Sequence, residues 1–255
     1  MRQWLVVRLI VVLECIVNSS RLIILLNRLS DVLRLRGGRY LDRLLRCRWF
    51  EGLRVAFIAD GNRRFARKRG TAGGSSADRG FAKIVEFIQF AHYNKFREVS
   101  FYCFSIKNFQ RKDTEVGEIM DFIKKSRPMN VGVPVSFRIY GNLALLEDSV
   151  REALVSLEEE TRSAGGLVVN IFFAYSSSAE ERGYGEPSHN ERVFGGGVDL
   201  IVRTSNTRRL SDFMVRHAAS STAIDFVAPL WPEYSVLHLY LTLAKYCLEQ
   251  AYLND

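Results

Sequence analysis

The sequence predicts an α/β fold: a mostly parallel central sheet of about six strands covered by helices, behind an apolar and basic N-terminal arm. Three observations carry this prediction. Short runs rich in β-branched and aromatic residues alternate with longer segments of helical spacing. The short runs are almost continuously apolar, as strands buried on both faces must be. Polar, arginine-rich stretches follow the strand ends, where ligands of parallel sheets bind.

The six β-rich runs are "RVAFIA" (54–59), "EVSFYCF" (98–104), "VSFRIYG" (135–141), "LVVNIFFAY" (167–175), "VDLIVR" (198–203) and "AIDFVA" (223–228). Helical spacing occupies 78–93, 113–125, 144–165 and 233–252, between or after them. Two glycine-rich stretches, 69–80 and 182–197, read as loops. Each is a solvated connection or, for the first, a flap over a ligand. With 255 residues, 47% hydrophobic residues and 5 prolines, the chain has room for one sizeable domain, residues 54–255, and the arm, residues 1–53.

The net charge of +8 suggests nucleic acid until it is located: residues 1–54 hold 11 arginines against Glu14, Asp31, Asp42 and Glu51. The body is therefore close to neutral, and nucleic acid is not an expected partner. In the arm, "WLVVRLIVVLECIV" (4–17) and "LIILL" (22–26) are apolar, but Arg8, Glu14 and Arg21 interrupt the roughly 20 uncharged residues a spanning helix wants. Glu14, Asn18 and Arg21 share one helical face, the pattern of a helix lying on an anionic membrane surface, although Arg8 fits that stripe poorly. Packing of the arm on the body or a partner is the alternative, and a cleaved signal peptide is a third reading. The triplet Asn18-Ser19-Ser20 is a glycosylation signal only if lumenal.

Several chemistries lack their residues. Cys15, Cys47, Cys103 and Cys247 are too scattered for a zinc site and fit a reducing compartment. His92, His189, His217 and His238 have no zinc-ligand spacing. No P-loop or G-x-S-x-G elbow occurs.

What remains is the strand-end chemistry. Asp60 alone would read as a helix cap. Followed by Gly61, Arg63 and Arg64, it reads as an anion site in which a carboxylate holds Mg²⁺ against phosphate oxygens. Arg111, Arg203 and Arg209, with Ser105 and Ser211, belong to the same rim, and so many guanidinium groups suit two diphosphates. Phe81, Ile84, Phe87, Ile88, Phe90 and Tyr93 form a broad apolar helix face, which is core or the wall of a channel for a long hydrocarbon.

The blocks "VAFIADGNRRFARK", "FSIKNFQR", "DLIVRTSNTRRLSDF" and "PLWPEY" resemble, in this order, the cis-prenyltransferases, the undecaprenyl and dehydrodolichyl diphosphate synthases, and most closely their eukaryotic catalytic subunit. The likeness runs from about residue 54 to about 240. It implies that Asp60 holds Mg²⁺ on an allylic diphosphate, with farnesyl diphosphate as the expected substrate, while Gly61, Arg63 and Arg64 cradle its phosphates and Phe65 joins the binding set. Arg203, Arg209 and Ser211 would bind isopentenyl diphosphate. Ser105, Asn108, Phe109 and Arg111 would complete the pocket, with Asn62 or Asn108 assisting deprotonation. The implied product is a long-chain polyprenyl (dehydrodolichyl) diphosphate for glycosyl-carrier lipid synthesis, made at the endoplasmic reticulum membrane by a catalytic domain in the cytosol.

The pattern also departs from that family. Gly73 and Ala77 stand where Arg and His are usual, Lys107 replaces a Glu, Asn206-Thr207 replace Gly-Glu, and Arg216-His217 replace Trp-Gln. Thr222 stands where bacterial members carry a second metal-binding Glu. The segment "CLEQAYLND" has no R-x-G motif, so a dimer is expected, with a non-catalytic, membrane-anchored subunit supplying it. The alternative reading is that this chain is itself the non-catalytic subunit.

Overall fold

The computed structural model describes residues 2–19, 22, 24, 25, 28, 46–70, 74–125, 131–183 and 194–253. Its strands are β1 (Arg54–Ile58), β2 (Glu98–Ser105), β3 (Val135–Tyr140), β4 (Leu167–Tyr175), β5 (Leu200–Arg203) and β6 (Ala223–Phe226). All are parallel, in the order β3-β4-β2-β1-β5-β6. Successive side chains enter opposite layers, so Val55 and Phe57 join one core cluster while Ala56 and Ile58 join the other. In the larger layer Trp231 packs against Phe57, Phe87 and Phe101. Tyr102 stacks on Phe213 in the smaller one, with ring centroids 4.5 Å apart.

The helices are α1 (Arg2–Asn18), α2 (Asn62–Arg69), α3 (Gly74–Tyr93), α4 (Asp113–Lys125), α5 (Asp148–Thr161), α6 (Ser177–Arg182), α7 (Val215–Ala218) and α8 (Val236–Leu253). The predicted 144–165 helix is shorter at both ends. Asn142 accepts from the Ala144 amide and caps a short 3₁₀ turn at Leu143–Leu145, so the α-helix starts only at Asp148. The expected loop at 69–80 is corrected too: α3 begins at Gly74, and only residues 71–73 of that stretch lie outside the described residues. Asp78 follows two serines there, the composition of a helix N-terminus, which the glycines had masked. Most of the 182–197 loop, with His189, lies outside the described residues.

Among the described residues no helix is long and apolar enough to cross a membrane. α1 packs on α8, burying Leu13 and Val17. The stripe expected to face water is turned to the body instead: Glu14 Oε2 accepts from Lys245 Nζ at 2.5 Å, and Asn18 Oδ1 accepts from the Ala228 amide at 2.7 Å. Lys245 is buried, also pairs with Asp225 at 2.8 Å, and a buried ammonium demands such partners. Val7, Leu9, Val11 and Val12 are consequently exposed. Arg21, and Ile23 and Leu26 of "LIILL", lie outside the described residues.

Chain order runs leftward from β1 to β2 and then returns to β5 on the other side of β1. The carboxyl ends of β1 and β5 therefore form the topological switch point, the crevice where parallel sheets bind ligands.

Candidate active site at the switch point

β1 ends two residues before Asp60, and β5 ends on Arg203. Parallel pairing sets Ile58 beside Arg203, so the two strands deliver a carboxylate and a guanidinium to one place. Arg203 Nη2 donates to Asp60 Oδ2 at 2.8 Å. From the other side Arg64, in the first turn of α2, brings its Nη2 within 3.3 Å of Asp60 Oδ1. Burial opposes the charge on Asp60, but Arg203, then Arg64 and Ser205, outweigh it and hold the carboxyl below the usual carboxylate range.

The Thr204 hydroxyl clamps this junction, accepting from the Asp60 amide at 3.0 Å and donating to the Asp60 carbonyl at 2.7 Å. Gly61 follows at φ +115°, where a Cβ would lie 3.0 Å from Leu230. Only glycine permits both that dihedral and that approach. α2 then presents Arg63 and Arg64. Phe65 is buried, with the guanidinium groups of Arg69 and Arg79 over its ring at 5.2 and 5.7 Å. Asn62 donates to the Ala59 carbonyl at 3.3 Å, and its Oδ1 is buried against the Gly80 backbone.

Arg203 is itself almost wholly buried. Its Nη1 donates to Ser211 Oγ at 2.7 Å and to the Arg209 carbonyl, so Arg209 contributes backbone while its side chain is exposed. The loop carrying them holds Ser205, Asn206, Ser211, Asp212 and Met214 at positive φ. Asn206, at φ +54°, stands where the resemblance has Gly, and Asn tolerates this region best after Gly. Asp212 anchors the loop to α6 by accepting from the Ser178 amide and hydroxyl at 3.1 and 2.6 Å. Tyr102 donates to the Tyr175 and Ser211 carbonyls at 3.0 and 3.3 Å.

After β2, Ser105 and Asn108 form a reciprocal capping box on a 3₁₀ turn, in which Asn108 Oδ1 accepts from the Ser105 amide at 3.2 Å. Phe109 packs edge-on against Phe104 at 4.9 Å. Arg111 donates to Glu115 at 2.8 Å, and Arg63 reaches the same carboxylate at 3.7 Å. Burial pulls the Arg111 pKa below its ordinary value while Glu115 pushes it back, and Arg63 and Asp60 both lie within its field.

Arg63, Arg64, Arg111 and Arg203 thus share two carboxylates, leaving an excess of positive charge that suits a polyanion. Among the described residues no three His, Cys, Asp or Glu side chains gather as a metal site. Asp60 fits a metal that arrives with phosphate ligands, as Mg²⁺ characteristically does. Thr222 donates to the Val198 carbonyl at 2.7 Å, at the amino ends of β5 and β6, and so lies at the opposite end of the sheet from Asp60. Lys107 is exposed; Gly73 and the Ala77 side chain lie outside the described residues. Thr204, Ser205, Tyr102 and Glu115 were not singled out from sequence. Thr204 and Ser205 lay inside the arginine-rich block after β5, whereas nothing local marks Tyr102 or Glu115.

Fold and site together define a parallel α/β protein with an arginine-rich crevice at its switch point. The chain belongs to the undecaprenyl diphosphate synthase family of cis-prenyltransferases, whose family model matches residues 58–182 and 191–252. It is 44% identical over 207 residues to a dehydrodolichyl diphosphate synthase of Encephalitozoon cuniculi, covering 80% of this chain and 74% of that one. An isoprenyl transferase of Geobacillus kaustophilus is 30% identical over 217 residues, covering 75% and 84% of the two chains. The lavandulyl diphosphate synthase of Lavandula x intermedia, solved with dimethylallyl diphosphate, shares the fold at a TM-score of 0.65 and 21% identity, over 76% of this chain and 94% of that one.

Proposed function

We propose that the chain is a catalytic cis-prenyltransferase subunit that condenses isopentenyl diphosphate onto an allylic diphosphate, farnesyl diphosphate being the expected primer, to make a long-chain polyprenyl (dehydrodolichyl) diphosphate. The observation that carries this reading is Asp60 held between Arg203 and Arg64 at the carboxyl ends of β1 and β5. A phosphate oxygen entering there exchanges one anionic partner of the arginines for another, so little charge has to be desolvated anew. Names among the relatives agree, including the human dehydrodolichyl diphosphate synthase complex subunit, 30% identical over 228 residues, covering 78% of this chain and 68% of that one.

In this reading Arg64 and the backbone of Gly61 and Arg63 hold the allylic diphosphate, and Arg203, Arg209 and Ser211 hold that of isopentenyl diphosphate. Asp60 would hold Mg²⁺, which when bound stabilises the charge of the departing diphosphate. The preorganised guanidinium groups act on the same developing charge. Asn108, with Asn62 as the other candidate, assists loss of the proton from the new carbon–carbon junction. Phe87, Ile88 and Phe90 of α3 are fully buried core, so shielding of the cationic carbon from water falls to the half-buried Phe81 and Ile84 of the same face.

The same reading takes in a dimer with a non-catalytic, membrane-anchored subunit supplying an R-x-G motif, and residence at the endoplasmic reticulum membrane with the catalytic domain in the cytosol. The outward apolar face of α1, Val7, Leu9, Val11 and Val12, supports contact with a lipid surface. Incubating the chain, with and without a partner, with labelled isopentenyl diphosphate, farnesyl diphosphate and Mg²⁺, then sizing the products, tests the reading. Asp60→Ala should abolish product; unchanged activity of a complex containing that variant would make the chain the non-catalytic subunit.

A further inference from the structure

A short strap, residues 227–231, joins β6 to α8, and its backbone is committed to the switch point. The Val227 amide donates to the Arg203 carbonyl at 2.9 Å, and the Val227 carbonyl accepts from the Asn206 amide at 2.8 Å. The Pro229 carbonyl accepts from the Ser205 amide at 2.7 Å, and the Trp231 amide donates to the Asp60 carbonyl at 2.9 Å. Leu230 fills the space that a Cβ on Gly61 would need. The strap thus holds Asp60, Gly61, Arg203, Ser205 and Asn206 from behind, and Ser205 in turn bonds Arg64 through both its carbonyl and its hydroxyl.

One amide in the strap, that of Ala228, is satisfied from outside the 54–255 domain, by Asn18 Oδ1 at 2.7 Å. Asn18 is not a loosely placed partner. Its Nδ2 donates to Glu14 Oε1 and to the Glu14 carbonyl, each at 3.1 Å, which orients the amide so that oxygen faces Ala228. Glu14 is held in turn by Lys245, which bonds Asp225 in β6, the strand that leads into the strap. Four residues from three elements therefore converge on the strap's far side, 210 positions from Asn18 in the chain.

We infer that Asn18 is a positioning residue: through the Ala228 amide, helix α1 holds strap 227–231 against the diphosphate cradle and so sets the affinity of a site it does not touch. The inference rests on the proposed function for its substrate, but its mechanical part stands on the hydrogen bonds alone. It gives the polar stripe of α1 a purpose distinct from that of the exposed apolar face, since the same helix grips the catalytic backbone on one side and presents valines on the other.

The test uses the full chain, alone or with the partner that supports turnover. Asn18→Ala removes the acceptor; Asn18→Asp with Glu14→Gln restores it with the hydrogen bond between the two side chains reversed. Loss of one such bond should raise the apparent KM for the diphosphate substrates about three- to tenfold in Asn18→Ala, with kcat changed less and the melting temperature within a few degrees of the parent. The double variant should return KM to the parent value. Amide hydrogen exchange supplies the readout that needs no activity: in Asn18→Ala the Ser205, Asn206 and Trp231 amides should exchange faster as well as that of Ala228. Acceleration confined to Ala228, or an unchanged KM in an active protein, would overturn the inference. Absence of any turnover in the parent would instead count against the proposed function, and the exchange result would still decide this one.

Discussion

Arg203 Nη2 and Asp60 Oδ2 lie 2.8 Å apart although 143 positions separate the two residues. The guanidinium also bonds Ser211 and the Arg209 carbonyl, so one rigid fork sets the carboxylate and the loop together. Lysine carries the charge but not the fork. Arg203→Lys should therefore lower kcat/KM by roughly 100-fold or more, with the fold retained by circular dichroism. Activity within threefold of the parent would show that charge alone suffices.

Gly61 joins that carboxylate to α2 at φ +115°, against Leu230. An alanine there meets both an unfavourable dihedral and a 3.0 Å contact. Gly61→Ala should cost about 1–3 kcal/mol of stability and more in activity, because the displaced atoms are those that hold Asp60 and Arg64. Denaturant unfolding beside product assays measures the two losses separately.

The loop after β5 stores backbone strain at Ser205, Asn206 and Ser211. Asn206→Gly keeps the left-handed conformation available and should leave stability within about 0.5 kcal/mol. Asn206→Val, β-branched at φ +54°, should cost about 1–3 kcal/mol. Equal melting temperatures for the two variants would show that the loop relaxes freely.

His238 is fully buried, and its Nδ1 accepts from the Ser235 amide at 3.2 Å. Burial, and then the positive charge of Lys83, lower its pKa from 6.5 to about 4. The folded state thus resists a proton that the unfolded state accepts, so stability falls as pH drops from about 6.5 toward 4. His238→Asn, whose amide oxygen can replace Nδ1, should flatten that part of the curve. Urea midpoints at pH 7, 6 and 5 would reveal it; parallel slopes for parent and variant would assign the acid sensitivity elsewhere.

Strand positions, the parallel sheet and the arginine-rich strand ends were legible because each is written in local pattern: unbroken apolar runs, helical spacing, polar blocks after β1, β2 and β5. α2 was not legible, since "NRRFARKR" has little apolar periodicity and is helical through its setting between Gly61 and Gly70. Nor was the start of α3 at Gly74, where glycines obscured a helix N-terminus. The N-terminal stripe was legible as a stripe; of the neighbours weighed for it, a membrane surface and the body, its polar side chains Glu14 and Asn18 meet the body. Its partners, Lys245 and Ala228, stand more than 200 positions away, beyond any local pattern.

By itself the sequence determined that charged residues follow the buried strands, because the motif blocks and their order put Asp60 and Arg64 just after β1 and Arg203 at the end of β5. Tertiary structure decided how they meet. Parallel pairing of β1 with β5 brings a carboxylate and a guanidinium into contact, and a strap from β6 fixes their backbones. Hydrogen bonds and ion pairs act over about 3 Å, so which distant residues come within that reach is settled only when the sheet has closed its register and packed both of its faces.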